Sequence, residues 1–108
     1  INNFLIKKRR LHQLYKRNLK NLDFCKLNLQ IKNSKSNQWL QAIILNKGQE
    51  KLRDKILYLT NNNKIQTRPV WSLLHKMKIY KNSQKMNLDT AISLEKRIIN
   101  LPSSQNLL

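Results

Sequence analysis

Between Asn3 and Leu22 the apolar residues Phe4, Leu5, Leu11, Leu14, Tyr15, Leu19 and Leu22 recur at steps of three, four and seven. That spacing collects them on one stripe of a helix. Lys7, Lys8, Arg9, Lys16, Arg17 and Lys20 occupy much of the remaining circumference, as expected of a solvated face. Asp23 to Gln30 fits a short extended piece through Cys25, Leu27 and Leu29, and the polar run 32–37, KNSKSN, fits a loop. Trp39 to Leu45, WLQAIIL, is short, mostly apolar and carries β-branched Ile43 and Ile44. It predicts a buried strand, closed by Asn46-Lys47-Gly48.

A second helix is predicted over Gln49 to Thr60, with Leu52, Ile56 and Leu59 on one face and Leu57 beside them. Glu50 and Asp54 lie near its start, where carboxylates suit the helix dipole and neighbour Lys51 and Arg53. Asn61-Asn62-Asn63 ends it, because Asn tolerates the left-handed backbone that helix ends often need. Ile65 to Trp71 predicts the next strand. Pro69 has no N–H to give a ladder, so this strand is an edge or stops there. Ser72 to Met77 predicts a helical turn and 81–88 a loop. Asp89 is a suitable N-cap for a third helix, Thr90 to Asn100, with Ala91, Leu94 and Ile98 inward, Ile92 and Ile99 beside them, and Pro102 as terminator. The order helix, strand, helix, strand, helix predicts an α+β fold: a small antiparallel or mixed sheet with packed helices, in a single domain 1–108. No internal repeat or linker divides it.

Charge changes the picture. The 108 residues include 22 Lys+Arg against 5 Asp+Glu, for a net charge of +17. Such an imbalance suits a nucleic acid or an anionic membrane. It equally suits an AT-rich coding bias, since Lys, Asn and Ile are all abundant, together with an anionic substrate. The basic residues are spread along the chain and only Lys7-Lys8-Arg9-Arg10 is dense. A recognition helix needs a partner helix across a short turn, and none follows the first helix. A small basic nucleic-acid-binding module therefore stands as the alternative. No apolar run approaches the roughly 20 residues that span a bilayer, and no apolar stretch follows the basic start as in a signal peptide. Cys25, the single cysteine, has no internal disulfide partner. A cytoplasmic location without a membrane partner is expected. The chain opens on Ile1 rather than Met, which suggests a piece of a longer protein.

Candidate chemistry is sparse. Gly48 is the only glycine, so a Gly-rich phosphate cradle is excluded within the chain. His12 and His75 have no metal-ligand spacing to Cys25 or to the acids. Asp23, Glu50, Asp54, Asp89 and Glu95 each have a helix-end or surface explanation, which argues against a paired-carboxylate site. No serine nucleophile elbow is present. What remains is Arg68, Trp71, His75 and Tyr80. Arg68 precedes Pro69, which restricts its backbone and lets the guanidinium be held in one direction, a geometry suited to phosphate or carboxylate. His75 lies four residues after Trp71 and shares its face if the segment is helical. The competing explanation is structural: Trp71 and Tyr80 as core, Arg68 as a surface ion pair and His75 as a satisfied polar residue.

Four passages resemble the C-terminal small domain of the DegT/DnrJ/EryC1/StrS family of pyridoxal-phosphate-dependent sugar aminotransferases. FLIKKRRLHQLYKRNL resembles the family's interdomain helix, and SNQWLQAIIL its Ser-Asn-x-Trp-Leu strand. IQTRPVWSLLHKMKIY resembles its Gly-Ile-x-Thr-Arg-Pro-x-Trp segment with a following His and Tyr. LEKRIINLPSS resembles its closing Leu-Pro-Ser-Ser helix and turn. The match runs from about Ile6 to Leu107 in the family's order, and is most similar to the branch that acts on nucleotide-linked 4-keto sugars, as in perosamine, bacillosamine and legionaminic acid synthesis. There are departures. Lys64 stands where glycine is usual, Lys78 where proline is common, and Gln38 where an aromatic is found.

The resemblance implies a fold-type I enzyme whose upstream large domain holds pyridoxal phosphate through a lysine and an acid that this chain does not match. It implies an amino-acid donor, commonly glutamate, a nucleotide-sugar acceptor, a homodimer, and a role in cell-surface polysaccharide synthesis. Arg68 would hold the anionic donor or the diphosphate, with Trp71 and His75 shaping the pocket. No catalytic or cofactor-binding residue is carried over, and the isolated chain is expected to be inactive.

Overall fold

The apolar run before Gly48 forms the inner part of the sheet. The structure is a computed structural model and describes residues 1–28 and 30–108. Its elements are α1 (Asn2–Leu19), β1 (Cys25–Leu27), β2 (Gln41–Leu45), α2 (Glu50–Asn62), β3 (Arg68–Pro69), α3 (Asp89–Glu95) and β4 (Ile98–Leu101). Three short 3₁₀ turns cover Leu74–Lys76, Lys78–Tyr80 and Gln105–Leu107. The strands form one antiparallel sheet in the order β1-β2-β4-β3, with Cys25 opposite Leu45, Ile43 opposite Ile99, and Arg68 opposite Asn100. The α+β class with a small antiparallel sheet is thus the observed one.

The core is small. Cys25, Ile43, Leu45 and Ile99 are buried, and Leu19, Phe24, Leu52, Ile56 and Leu57 pack against them. Leu45 and Ile99 are completely enclosed. Burial, with the charge of Asp23 second, pushes the Cys25 thiol up from its ordinary range, as befits a small apolar filler. Leu59, expected inward, faces solvent, as does Trp39 ahead of β2. Leu29, expected in the first extended piece, lies outside the described residues.

The third helix differs most from expectation. It stops at Glu95, and Ile98 and Ile99 enter β4, between β2 and β3. The chain is captured at Arg97: the Leu45 N–H donates to the Arg97 carbonyl (2.9 Å), and Arg97 Nη1 donates to the Leu45 carbonyl (2.7 Å). Two consecutive β-branched residues then suit the pleated surface beside β2 better than a further helical turn. Pro102 accordingly ends a strand. Asp89 is the first helical residue and not the cap. Its N–H donates to Asn87 Oδ1 (2.9 Å), and Asn87 Nδ2 donates back to Asp89 Oδ2 (2.9 Å).

The strand expected over 65–71 shortens to Arg68–Pro69 and lies at the sheet edge, where proline costs no ladder bond. After α2 the left-handed residue is not an asparagine. Asn63 has φ −87°, whereas Lys64 has φ 62°. Lys64 thus keeps the backbone region that glycine prefers at the position where the resemblance expects glycine.

Candidate functional site

Arg68 is held from behind. Thr67, almost fully buried, meets Thr60 through a hydroxyl–hydroxyl bond of 2.5 Å, and Asn61 Nδ2 donates to the Thr67 carbonyl (3.1 Å). Asn61 Oδ1 also accepts from Arg68 Nη1 (3.3 Å). The end of α2 therefore fixes the backbone before Arg68 and steers its side chain. Among the described residues Arg68 makes no ion pair, so the surface ion-pair explanation does not hold. Trp71 is not core either. It is 66% exposed and stacks on Trp39, itself 66% exposed, with ring centroids 6.4 Å apart and planes inclined by 27°.

Arg68 and Trp71 line one open cleft of about 1090 Å³. Lys8, Lys64, Trp39 and Ser103 also line it, and no Asp or Glu is among its lining residues. His75 lies elsewhere. With Tyr80, Leu74, Lys85 and Met86 it lines a separate cavity of about 410 Å³. The expected shared helical face of Trp71 and His75 does not form, because Leu73 is extended (φ −64°, ψ 138°) and the 3₁₀ turn begins only at Leu74. Tyr80 is 39% exposed and is not core.

Glu95 braces the chain that follows Trp71. Its Oε1 accepts from the Leu73 N–H (3.1 Å), its Oε2 pairs with the Lys76 ammonium, and its backbone carbonyl accepts from Arg53 Nη1 (3.0 Å). The Lys76 hydrogen bond, then the Leu73 N–H, hold its carboxyl below the usual carboxylate range.

Lys8 was not anticipated. It is 5% exposed, its ammonium donates to the Trp39 carbonyl (3.0 Å) and to the Ser103 carbonyl, and it lies 5.5 Å from the centre of the Phe4 ring. Burial lowers its pKa. Around it, Leu101-Pro102-Ser103 acts as a hub. Tyr15 Oη donates to the Pro102 carbonyl (2.9 Å), the Gln41 N–H donates to Ser103 Oγ (2.8 Å), and Ser103 Oγ donates to the Leu101 carbonyl (2.7 Å). His12 and Gln41 complete the junction through a 2.8 Å bond between Nδ1 and Oε1. Nothing in the spacing of Lys8 within its basic run distinguishes it from Lys7. Its burial follows from the docking of α1 on this hub. Trp39 lay in a recognisable passage, but its strand-like surroundings pointed to the core.

The lining residues of the larger cleft include no carboxylate, and its buried lysine donates to two carbonyls. Among the described residues no group of three or more His, Cys, Asp or Glu side chains could hold a metal ion, and no helix is long and apolar enough to cross a membrane.

The fold is similar to that of part of several solved enzymes. One is PseC of Helicobacter pylori, an aminotransferase involved in the biosynthesis of pseudoaminic acid (17% identity, TM-score 0.83, 96% of this chain and 28% of that one). Another is DesI in the presence of its TDP-sugar product (18%, 0.79, 94% and 28%). A third is the E. coli GDP-4-keto-6-deoxy-D-mannose-3-dehydratase with bound hydrated PLP (19%, 0.75, 94% and 27%). The chain thus spans little more than a quarter of the length of these structures. No curated protein matches it. The DegT/DnrJ/EryC1/StrS aminotransferase family model matches residues 1–108, and the chain belongs to that family.

Proposed function

We propose that residues 1–108 are the C-terminal small domain of a longer pyridoxal-phosphate-dependent aminotransferase. Its reaction moves an amino group from an amino acid, with glutamate the expected donor, to a nucleotide-linked keto sugar for cell-surface polysaccharide synthesis. The observation that carries this reading is the placement of Arg68. In a chain of this family, its guanidinium is braced by Asn61 and faces an acid-free cleft beside Trp71.

In this reading the Schiff-base lysine and the acid on the cofactor belong to the rest of the protein, and this domain supplies one wall of the cleft. Arg68 binds the sugar diphosphate or the donor carboxylate bidentately and orients it. Trp71 forms an apolar side of the pocket. His75 shapes the adjoining rim from its own cavity. The working unit is a cytoplasmic homodimer, and the isolated chain is inactive in transamination.

The fold is shared with a dehydratase as well as aminotransferases, so the test must separate the two reactions. The longer protein, loaded with pyridoxal phosphate, is given glutamate and then a 4-keto sugar nucleotide. The expected outcome is bleaching of the Schiff-base band by glutamate and an amino sugar product. Arg68→Lys should raise KM for one anionic substrate about tenfold, the size of a lost charge-assisted hydrogen bond. Loss of a sugar hydroxyl with release of ammonia and no nitrogen retained in the sugar product would overturn the reading. A second reading, a single-stranded nucleic-acid-binding module, draws on the exposed tryptophans beside Lys8, Lys64 and Arg68. It predicts salt-dependent oligonucleotide binding in place of amino transfer.

A further inference from the structure

From Ile1 to Leu22 the chain holds no Asp or Glu. At 3.6 residues per turn, Arg9, Arg10, Lys16, Arg17 and the following Lys20 fall within one arc of about 120° around α1, along about 16 Å of its axis. All five are exposed, as is Gln13 among them. Among the described residues none of the five makes an ion pair. Lys16 and Arg17 each lie one turn from Lys20, a like-charge spacing that destabilises a helix. The reverse side of α1 is fully engaged. Leu11 is buried, Lys8 donates to the Trp39 and Ser103 carbonyls, His12 bonds Gln41, and Tyr15 donates to the Pro102 carbonyl. These contacts fix the rotation of the helix and present the cations outward as one row.

The row needs an anionic partner, and its shape narrows the choice. A second copy would bring the same cations face to face on chains of net charge +17. A single-stranded nucleic acid needs aromatic rings among the cations. The row has none: Trp39, with Trp71 stacked on it, meets α1 through Lys8, on the side turned away from the row. A duplex reader needs a second helix across a short turn, which does not follow α1. A lipid surface needs only a level row of cations. Ile6, 62% exposed, lies in the same arc at its N-terminal end, where an apolar side chain can enter the headgroup layer.

We propose that the outward face of α1 docks on an anionic lipid bilayer, with Arg9, Arg10, Lys16, Arg17 and Lys20 against the headgroups and Ile6 in the interface. The expectation of no membrane partner rests on the lack of a spanning run, a different matter from a helix that lies on the surface. The proposal is independent of the aminotransferase reading.

The test sediments the full chain with vesicles of phosphatidylcholine, alone or with about one-third phosphatidylglycerol. The chain should partition to the anionic vesicles only, and salt at about 1 M should release most of it. Each cation near such a surface is worth a factor of about five, so Arg17→Gln should weaken partitioning about fivefold and Arg10→Gln with Arg17→Gln about 25-fold. Arg10→Lys with Arg17→Lys should retain most of it. Lys26 is the control for overall charge. It is exposed and alternates along β1 with Cys25, whose cluster packs on Leu19 of α1, so it points to the sheet face away from α1. Lys26→Gln should change partitioning by less than about twofold. Melting curves accompany each variant, all at exposed side chains.

Three outcomes would overturn the proposal. One is no partition to anionic vesicles at physiological salt. Another is a Lys26→Gln loss as large as that of Arg17→Gln, which would mean overall charge and not this face. The third is tighter binding to a short DNA duplex than to vesicles through the same arginines. Amino transfer by the longer protein is measured separately: transfer without sedimentation removes this proposal alone, and sedimentation without transfer removes only the aminotransferase reading.

Discussion

The Glu95 carboxylate accepts a 3.1 Å hydrogen bond from the Leu73 N–H, so the end of α3 holds the corner of chain between Trp71 and His75. Its pKa lies below the ordinary 4.5 because the Lys76 hydrogen bond and the Leu73 N–H favour the charged form. With the folded value below the unfolded one, this stabilisation is present above the unfolded pKa and is lost as pH falls through the folded pKa. Glu95→Gln should therefore melt below the wild type at neutral pH, and the gap should close as pH falls under about 4. Thermal melts of both proteins across that range check this. A gap that does not change with pH would mean that the carboxylate charge is not what holds the corner.

Lys64 offers a stabilising substitution. Its φ of 62° places a side chain in the left-handed region, which costs a non-glycine residue about 1–2 kcal/mol. Glycine returns roughly 0.4–1 kcal/mol of that through its more disordered unfolded state. Lys64→Gly should thus stabilise by about 0.5–1 kcal/mol and raise Tm by about 2–6 °C, whereas Lys64→Ala should do little. Calorimetry of the two variants distinguishes them.

Ile99 is completely enclosed in β4, whereas Leu59 is 47% exposed on α2. Ile99→Ala should cost about 2–5 kcal/mol. Leu59→Ala should cost under about 1 kcal/mol, as expected of a side chain that keeps much of its water. A continued third helix with Leu59 in the core would bring the two costs together. Urea unfolding at constant slope measures both.

Arg97 is nine-tenths buried and, among the described residues, binds neutral groups only: the Leu45 carbonyl (2.7 Å) and Ser93 Oγ, which accepts from Nε (3.2 Å) and Nη2 (3.1 Å). Arg97→Met fills the same channel but leaves the Leu45 carbonyl with one partner fewer. It should cost about 1–3 kcal/mol, with Arg97→Lys intermediate. Hydrogen exchange at the Leu45 amide, which donates to the Arg97 carbonyl, should quicken in the same order.

Much of the frame was legible in local pattern. The stripe Leu11, Leu14, Tyr15 and Leu19 marked α1, Leu52 and Ile56 marked α2, Ile43 and Ile44 marked β2, and Pro69 marked an edge. Each of these signals lies within one element, where side-chain period and backbone geometry are coupled directly. Arg68 was legible as a candidate for the same reason, since Pro69 restricts it locally.

What local pattern could not settle was competition between elements. Ile98 and Ile99 satisfy a helical stripe as well as a strand, and only the vacant position between β2 and the short edge β3 decides for the strand. Lys8 resembles every other lysine of α1 until the turn after β4 places Ser103 against it. Trp39 looks like core until Trp71 meets it in the open. By itself the sequence determined the first two helices, the β2 strand and the family resemblance, and it singled out Arg68 as a candidate. The tertiary structure alone decided which residues share its cleft, because burial and charge pairing depend on neighbours distant in the chain.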